Sequence, residues 1–130
     1  MLSYFSSKHP AHSDIELLDD ATNPLEPCPD TPNCVRRSYG VVKPADELFS
    51  DCLRVISKMG ATIENQSIDS HNIHAVYKVV IFKDDLNIQI KKQTSRSVLY
   101  IRSASREGAY DFGVNARRIN IFMKKLAEII

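Results

Sequence analysis

The stretch Ile73-His74-Ala75-Val76-Tyr77-Lys78-Val79-Val80-Ile81-Phe82, then Lys83-Asp84-Asp85, then Leu86-Asn87-Ile88-Gln89-Ile90, decides the fold class. In the last run every other residue is apolar, and the first is dense in β-branched and aromatic side chains. Both therefore read as strands whose side chains alternate between two faces. Polar breaks flank them: Asp69-Ser70-His71-Asn72 before, Lys83-Asp84-Asp85 between and Thr94-Ser95-Arg96 after, each short enough to close a hairpin. The period of two continues outward on both sides. It predicts strands over 62–68, 73–82, 86–93 and 98–103, joined in sequence as a four-stranded antiparallel β-meander.

A helix is expected on either side of this sheet. After Pro44, the residues Leu48, Phe49, Cys52, Leu53, Val55, Ile56 and Met59 recur at spacings of three and four, and Gly60 supplies the stop. From about 113 to 130, Ile119, Phe122, Met123, Leu126 and Ile130 share one helical face, with Arg117, Lys124 and Lys125 turned elsewhere and Asp111 placed as a cap. Neither helix has a second apolar face, so both must cover the same face of the sheet. Five of the six prolines, Pro10, Pro24, Pro27, Pro29 and Pro32, lie upstream of the first helix in a stretch without period. Residues 1–27 read as a flexible N-terminal arm that continues as extended chain to about 43, and residues 28–130 as a single α+β domain.

With 130 residues, 43% hydrophobic and 25% charged, the chain is large enough for one core and too short to need several domains. It contains no apolar run long enough for a membrane span, and its first residues lack the pattern of a secretory signal, so it reads as soluble and cytoplasmic. The formal net charge is +1, but residues 1–70 hold 6 basic and 11 acidic side chains against 11 and 5 in residues 71–130. A basic half can attract an anionic partner, although a solvated face is the commoner meaning. Nucleic acid is not an expected partner, because net charge is near zero and no aromatic run interleaves with the basic residues.

Two stretches are more particular than composition. One is Cys28-Pro29-Asp30-Thr31-Pro32-Asn33-Cys34-Val35; the other is Arg102-Ser103-Ala104-Ser105-Arg106-Glu107-Gly108, followed by Asp111-Phe112-Gly113-Val114-Asn115 and Arg118. Together they resemble the signatures of a bacterial and plastid family, domain of unknown function 1499, over roughly residues 25 to 128, and the acidic pair Asp84-Asp85 also fits. The chain departs from that pattern at Arg36-Arg37 and at Tyr110, where small residues are usual. The resemblance implies domain bounds and a choice of residues. It implies no activity, substrate or cofactor.

Arg102 and Arg106 fall at the end of the last expected strand, and Asp111, Asn115 and Arg118 lie at spacings of four and three around the start of the final helix. A strand end, a glycine-marked loop and a helix N-terminus can together hold a phosphate or carboxylate, and the planar guanidinium suits an oxyanion. The same residues can equally form an architectural network that fixes the loop and helix start. Cys28 and Cys34 can form a disulfide, pack, or act as a redox pair, while Cys52 sits on the apolar helix stripe. A reducing cytosol would not preserve the bond. His71 and His74 do not complete a zinc site with these cysteines at the spacings present, so neither metal nor cofactor is expected.

The function expected from these residues is a non-enzymatic binding module that takes an anionic small molecule or a lipid headgroup at Arg102, Arg106, Asp111, Asn115 and Arg118. Two alternatives stand beside it. One is a structural or protein-interaction domain with an architectural arginine cluster; the other is a thiol redox protein using Cys28 and Cys34.

Overall fold

Alternation along the chain converts into one antiparallel sheet, and the computed structural model describes it for residues 12–108 and 113–130. The strands are β1 (Ile15–Leu18), β2 (Cys34–Val41), β3 (Thr62–Ser67), β4 (Asn72–Val79), β5 (Phe82–Lys92) and β6 (Ser97–Ser105), in the spatial order β1-β2-β6-β5-β4-β3. All neighbours are antiparallel. Helix α1 (Ala45–Lys58) connects β2 to β3, and helix α2 (Val114–Ile129) ends the chain.

The expected four-stranded meander is thus corrected to a six-stranded sheet. β3 to β6 do run in sequence, but β6 is not an edge: β2 pairs along its whole length, from Cys34 opposite Ala104 to Val41 opposite Ser97, and β1 pairs with β2. Backbone groups of a strand as buried as Val98 to Ile101 must find partners, and an unpaired edge there would leave them open. Both added strands come from the stretch expected to be an extended arm. The period in β2 is masked by Arg37, which lies on the same face as Tyr39 and Val41 and donates from Nη1 to Asn120 Oδ1 of α2 at 2.9 Å.

The break between β4 and β5 also lies elsewhere than expected. Val79 pairs with Phe82, so the turn is Val80-Ile81, and Asp84 and Asp85 are strand residues opposite Tyr77 and Val76. Polar character pointed to Asp84-Asp85 as the turn, whereas the register places those carboxylates on opposite faces of β5.

Both helices pack on one face of the sheet, as their single apolar stripes require. Leu48, Phe49, Cys52, Val55 and Ile56 of α1 and Ile119, Phe122, Met123 and Leu126 of α2 form one core with Tyr39, Leu99, Ile101, Ile88 and Ile73 of the strands. Pro44 stands before α1 in extended conformation, Asp46 and Glu47 occupy its positive first turn, and Gly60 follows it at φ +80°. No helix among the described residues is long and apolar enough to cross a membrane.

The other sheet face carries the chain between β1 and β2. Arg36 reaches up from β2 to Asp20 Oδ2 and to the Leu25 carbonyl, both at 2.7 Å, and Asn23 Nδ2 donates to Ser38 Oγ at 3.1 Å. Residues 19–26 are therefore tied to the sheet by side chains that point away from the helices.

Candidate functional site

The pleat separates the arginines that sequence spacing brought together. Neighbouring residues in a strand face opposite ways, so Ser103, opposite Leu86, faces the helices, while Arg102, opposite Arg36 and Asn87, faces the N-terminal chain. Arg102 Nε donates to the Glu26 carbonyl at 2.8 Å. Arg106 grips Asp85 on that same side with two hydrogen bonds, Nε to Oδ2 and Nη2 to Oδ1, each 2.9 Å. His74 Nε2 lies 2.7 Å from the same Oδ1. The hydrogen bonds from Arg106 hold the Asp85 carboxyl below the usual range; partial burial opposes them and the bond to His74 assists.

Arg118 is on the helix face. It enters from the second turn of α2, meets Asp84 Oδ2 at 2.8 Å, and is buried with its partner. Its Nη1 also donates to Asn115 Oδ1 at 2.9 Å and to Ser103 Oγ at 3.3 Å, and its guanidinium carbon lies 4.5 Å from the centroid of the Tyr77 ring. Burial pushes the Tyr77 hydroxyl up to about 12, with Arg118 acting against it, so this ring stays neutral over Arg118. Asn115, fully buried, accepts from Ser103 Oγ at 2.6 Å and donates from Nδ2 to Ser105 Oγ at 2.9 Å and to the Asn33 carbonyl at 3.1 Å.

Asn33 is the link to the cysteine loop. Cys28 and Cys34 form a disulfide with their Cα atoms 5.6 Å apart, and Thr31 Oγ1 inside the loop donates to Asn33 Oδ1 at 2.7 Å. The Asn33 carbonyl receives the Ser105 backbone N–H at 3.0 Å besides Asn115, and its amide donates to the Gly108 carbonyl. The disulfide loop, the end of β6 and the start of α2 are thereby joined through one asparagine.

Of the residues singled out in the sequence, Asn115 and Arg118 meet, Arg102 and Arg106 lie on the other face, and Asp111 lies outside the described residues, as does Tyr110. Asp84, Asn33, Ser103 and Ser105 complete the buried network without having been assigned to it. Their signal was present: Asn33, Ser103 and Ser105 lie within the two distinctive motifs, and Asp84 belongs to the acidic pair.

The chemistry open to this network is limited by its pairing. The charge on Arg118 is matched by Asp84, and the Ser103 hydroxyl points its proton at an amide oxygen, which is no base. Cys52 is buried on α1, and burial pushes its thiol up. His71 and His74 bond to Asp46 and Asp85. Among the described residues no three His, Cys, Asp or Glu side chains converge as metal ligands would.

Two hollows adjoin these groups. A cleft of about 400 Å3 between α2 and the end of β4 is lined by Met59, Tyr77, Arg117, Arg118, Ile121 and Lys125, among others. A second, of about 180 Å3, lies on the opposite face under Leu25 and is lined by the polar side chains of Asn65, Asn72, His74, Asn87 and Gln89.

Sheet order, helix placement and the buried Arg118–Asp84–Asn115 network define an antiparallel α+β domain with a disulfide-closed loop at its sheet end. The chain belongs to the family described as protein of unknown function (DUF1499), whose model matches residues 24–126. No curated protein matches the chain significantly.

Proposed function

We propose that this domain is a non-enzymatic interaction module in which Arg102, Arg106 and Arg118 are architectural. The observation that carries this reading is the buried Arg118–Asp84 pair with Asn115 and Ser103 around it. The Arg118 side chain is buried, its charge is matched by Asp84, and its Nη1 is turned inward to Asp84, Asn115 and Ser103, which leaves little net charge facing solvent for an oxyanion. Arg106 is likewise engaged at both ends of its fork by Asp85, and Arg102 anchors the Glu26 backbone. Cys28 and Cys34 fit the same role, since their loop presents Asn33 to the network.

The test is a melting series of the full chain with phosphate, acetate, sulfate and nucleotides at matched ionic strength. A ligand at about 100 times its dissociation constant adds about 2.7 kcal/mol. No anion-specific shift is expected. A shift that disappears in Arg106→Gln or Arg118→Met would overturn the reading.

A second reading rests on the cleft beside α2. Its lining combines Met59, Tyr77 and Ile121 with Arg117 and Lys125, a surface suited to an amphipathic anion such as a lipid headgroup with part of its chain. Stabilisation by a short-chain anionic lipid, lost in Lys125→Glu, is the outcome that would favour it.

A further inference from the structure

The turn between β4 and β5 obeys neither of the rules that usually shape hairpin tips. Two-residue turns favour Asn-Gly or Asp-Gly, because they demand positive φ. Here the turn is Val80-Ile81, and Val80, a β-branched residue, sits at φ +59°. Soluble tips are also polar, whereas Val79, Val80, Ile81 and Phe82 are 44%, 82%, 75% and 51% exposed in an unbroken row. One pair further down the ladder, Lys78 stands opposite Lys83. Both are exposed, and neither forms an ion pair among the described residues.

This is an apolar point with a collar of two ammonium groups. Strand rise of about 3.3 Å per residue puts the tip about 7 Å beyond the lysines, within the depth to which interfacial segments enter a bilayer. At that depth the lysine stems lie along apolar surface while their heads meet phosphates. The apolar tip carries two like charges at its base, and that flanking charge is complementary to an anionic surface.

We propose that the Val79–Phe82 hairpin tip inserts into the interface of an anionic lipid bilayer, with Lys78 and Lys83 set on the headgroup phosphates. The proposal names the partner of the interaction module described above but uses none of its arginines, so either can fail alone.

The test is co-sedimentation of the full chain with phosphatidylcholine vesicles with and without phosphatidylserine. Binding is expected only with phosphatidylserine and should weaken as salt is raised. Ile81→Asp should reduce partitioning by about tenfold or more, since it places a charge where the bilayer would take up an aliphatic group. Lys78→Gln and Lys83→Gln should each reduce it about fivefold, at about 1 kcal/mol per basic residue near the surface. Val80→Gly should also weaken binding while the melting temperature holds or rises, because glycine accepts the positive φ; a purely structural turn would show no loss of vesicle binding. The proposal is overturned if the unmodified chain stays in the supernatant, if Ile81→Asp binds as well as the parent, or if soluble glycerophosphoserine competes fully. It is equally overturned if Ile81→Asp dissolves a dimer and leaves vesicle binding unchanged.

Discussion

Arg118 and Asp84 meet at 2.8 Å between helix α2 and strand β5, with 7% and 6% of their side chains exposed. Removing one member of such a pair leaves the other charged, buried and unmatched, which costs far more than the pair itself contributes. Asp84→Asn is therefore expected to destabilise the domain by about 3–5 kcal/mol, and the double change Asp84→Leu with Arg118→Met to recover most of that. Urea denaturation midpoints measure both. Equal instability of the single and double variants would mean that the pair is not the unit at work.

Asn115 couples to the same pair through Arg118 and to the disulfide loop through Asn33. Asn115→Ala should cost about 3 kcal/mol, because several buried groups lose a partner at once. Combined with Ser103→Ala, the loss should fall short of the sum of the single losses, since the two side chains bond to each other. A double-mutant cycle by chemical denaturation reads this coupling directly.

The Asp85 carboxyl, held low first by Arg106 and then by His74, gives the acid limb of stability a definite sign. Its unfolded value is about 3.9, so the contribution is complete above that pH and is lost as pH falls through the lower folded value. Stability measured downward from neutral pH should begin to fall near pH 4, and Asp85→Asn should show a shallower fall. An identical acid limb in the variant would remove Asp85 from this role.

Reduction of Cys28–Cys34 opens a loop with a sequence separation of 6 and frees the segment that presents Asn33. A loss of about 2 kcal/mol is expected from the loop alone. The check is the melting temperature with and without reductant, alongside Cys28→Ala/Cys34→Ala. Buried Cys52 should resist alkylation until the protein unfolds.

Local patterns carried the parts of the fold that local physics sets. The stripe Leu48, Phe49, Cys52, Val55, Ile56 could only be a helix with one buried face, and Ile119, Phe122, Met123, Leu126 the same. Leu86, Ile88 and Ile90 alternate cleanly because their strand has one face under the helices. β2 was not legible because a strand of mixed polarity is stabilised by the partner it pairs with, and that partner, β6, lies far along the chain; β1, four residues long, pairs in turn with β2. Asp84-Asp85 looked like a turn because two adjacent carboxylates normally seek water; here each finds an arginine instead, one on either face.

By itself, then, the sequence determined the α+β class, both helices, their shared sheet face and the two motifs that build the sheet end. Which side chains meet was decided only in three dimensions. The candidate arginines were grouped by spacing along the chain, but in a strand a shift of one position turns a side chain to the other face. Arg102 and Arg118 therefore ended on opposite faces of one sheet, and the same parity sent Asp84 to Arg118 and Asp85 to Arg106.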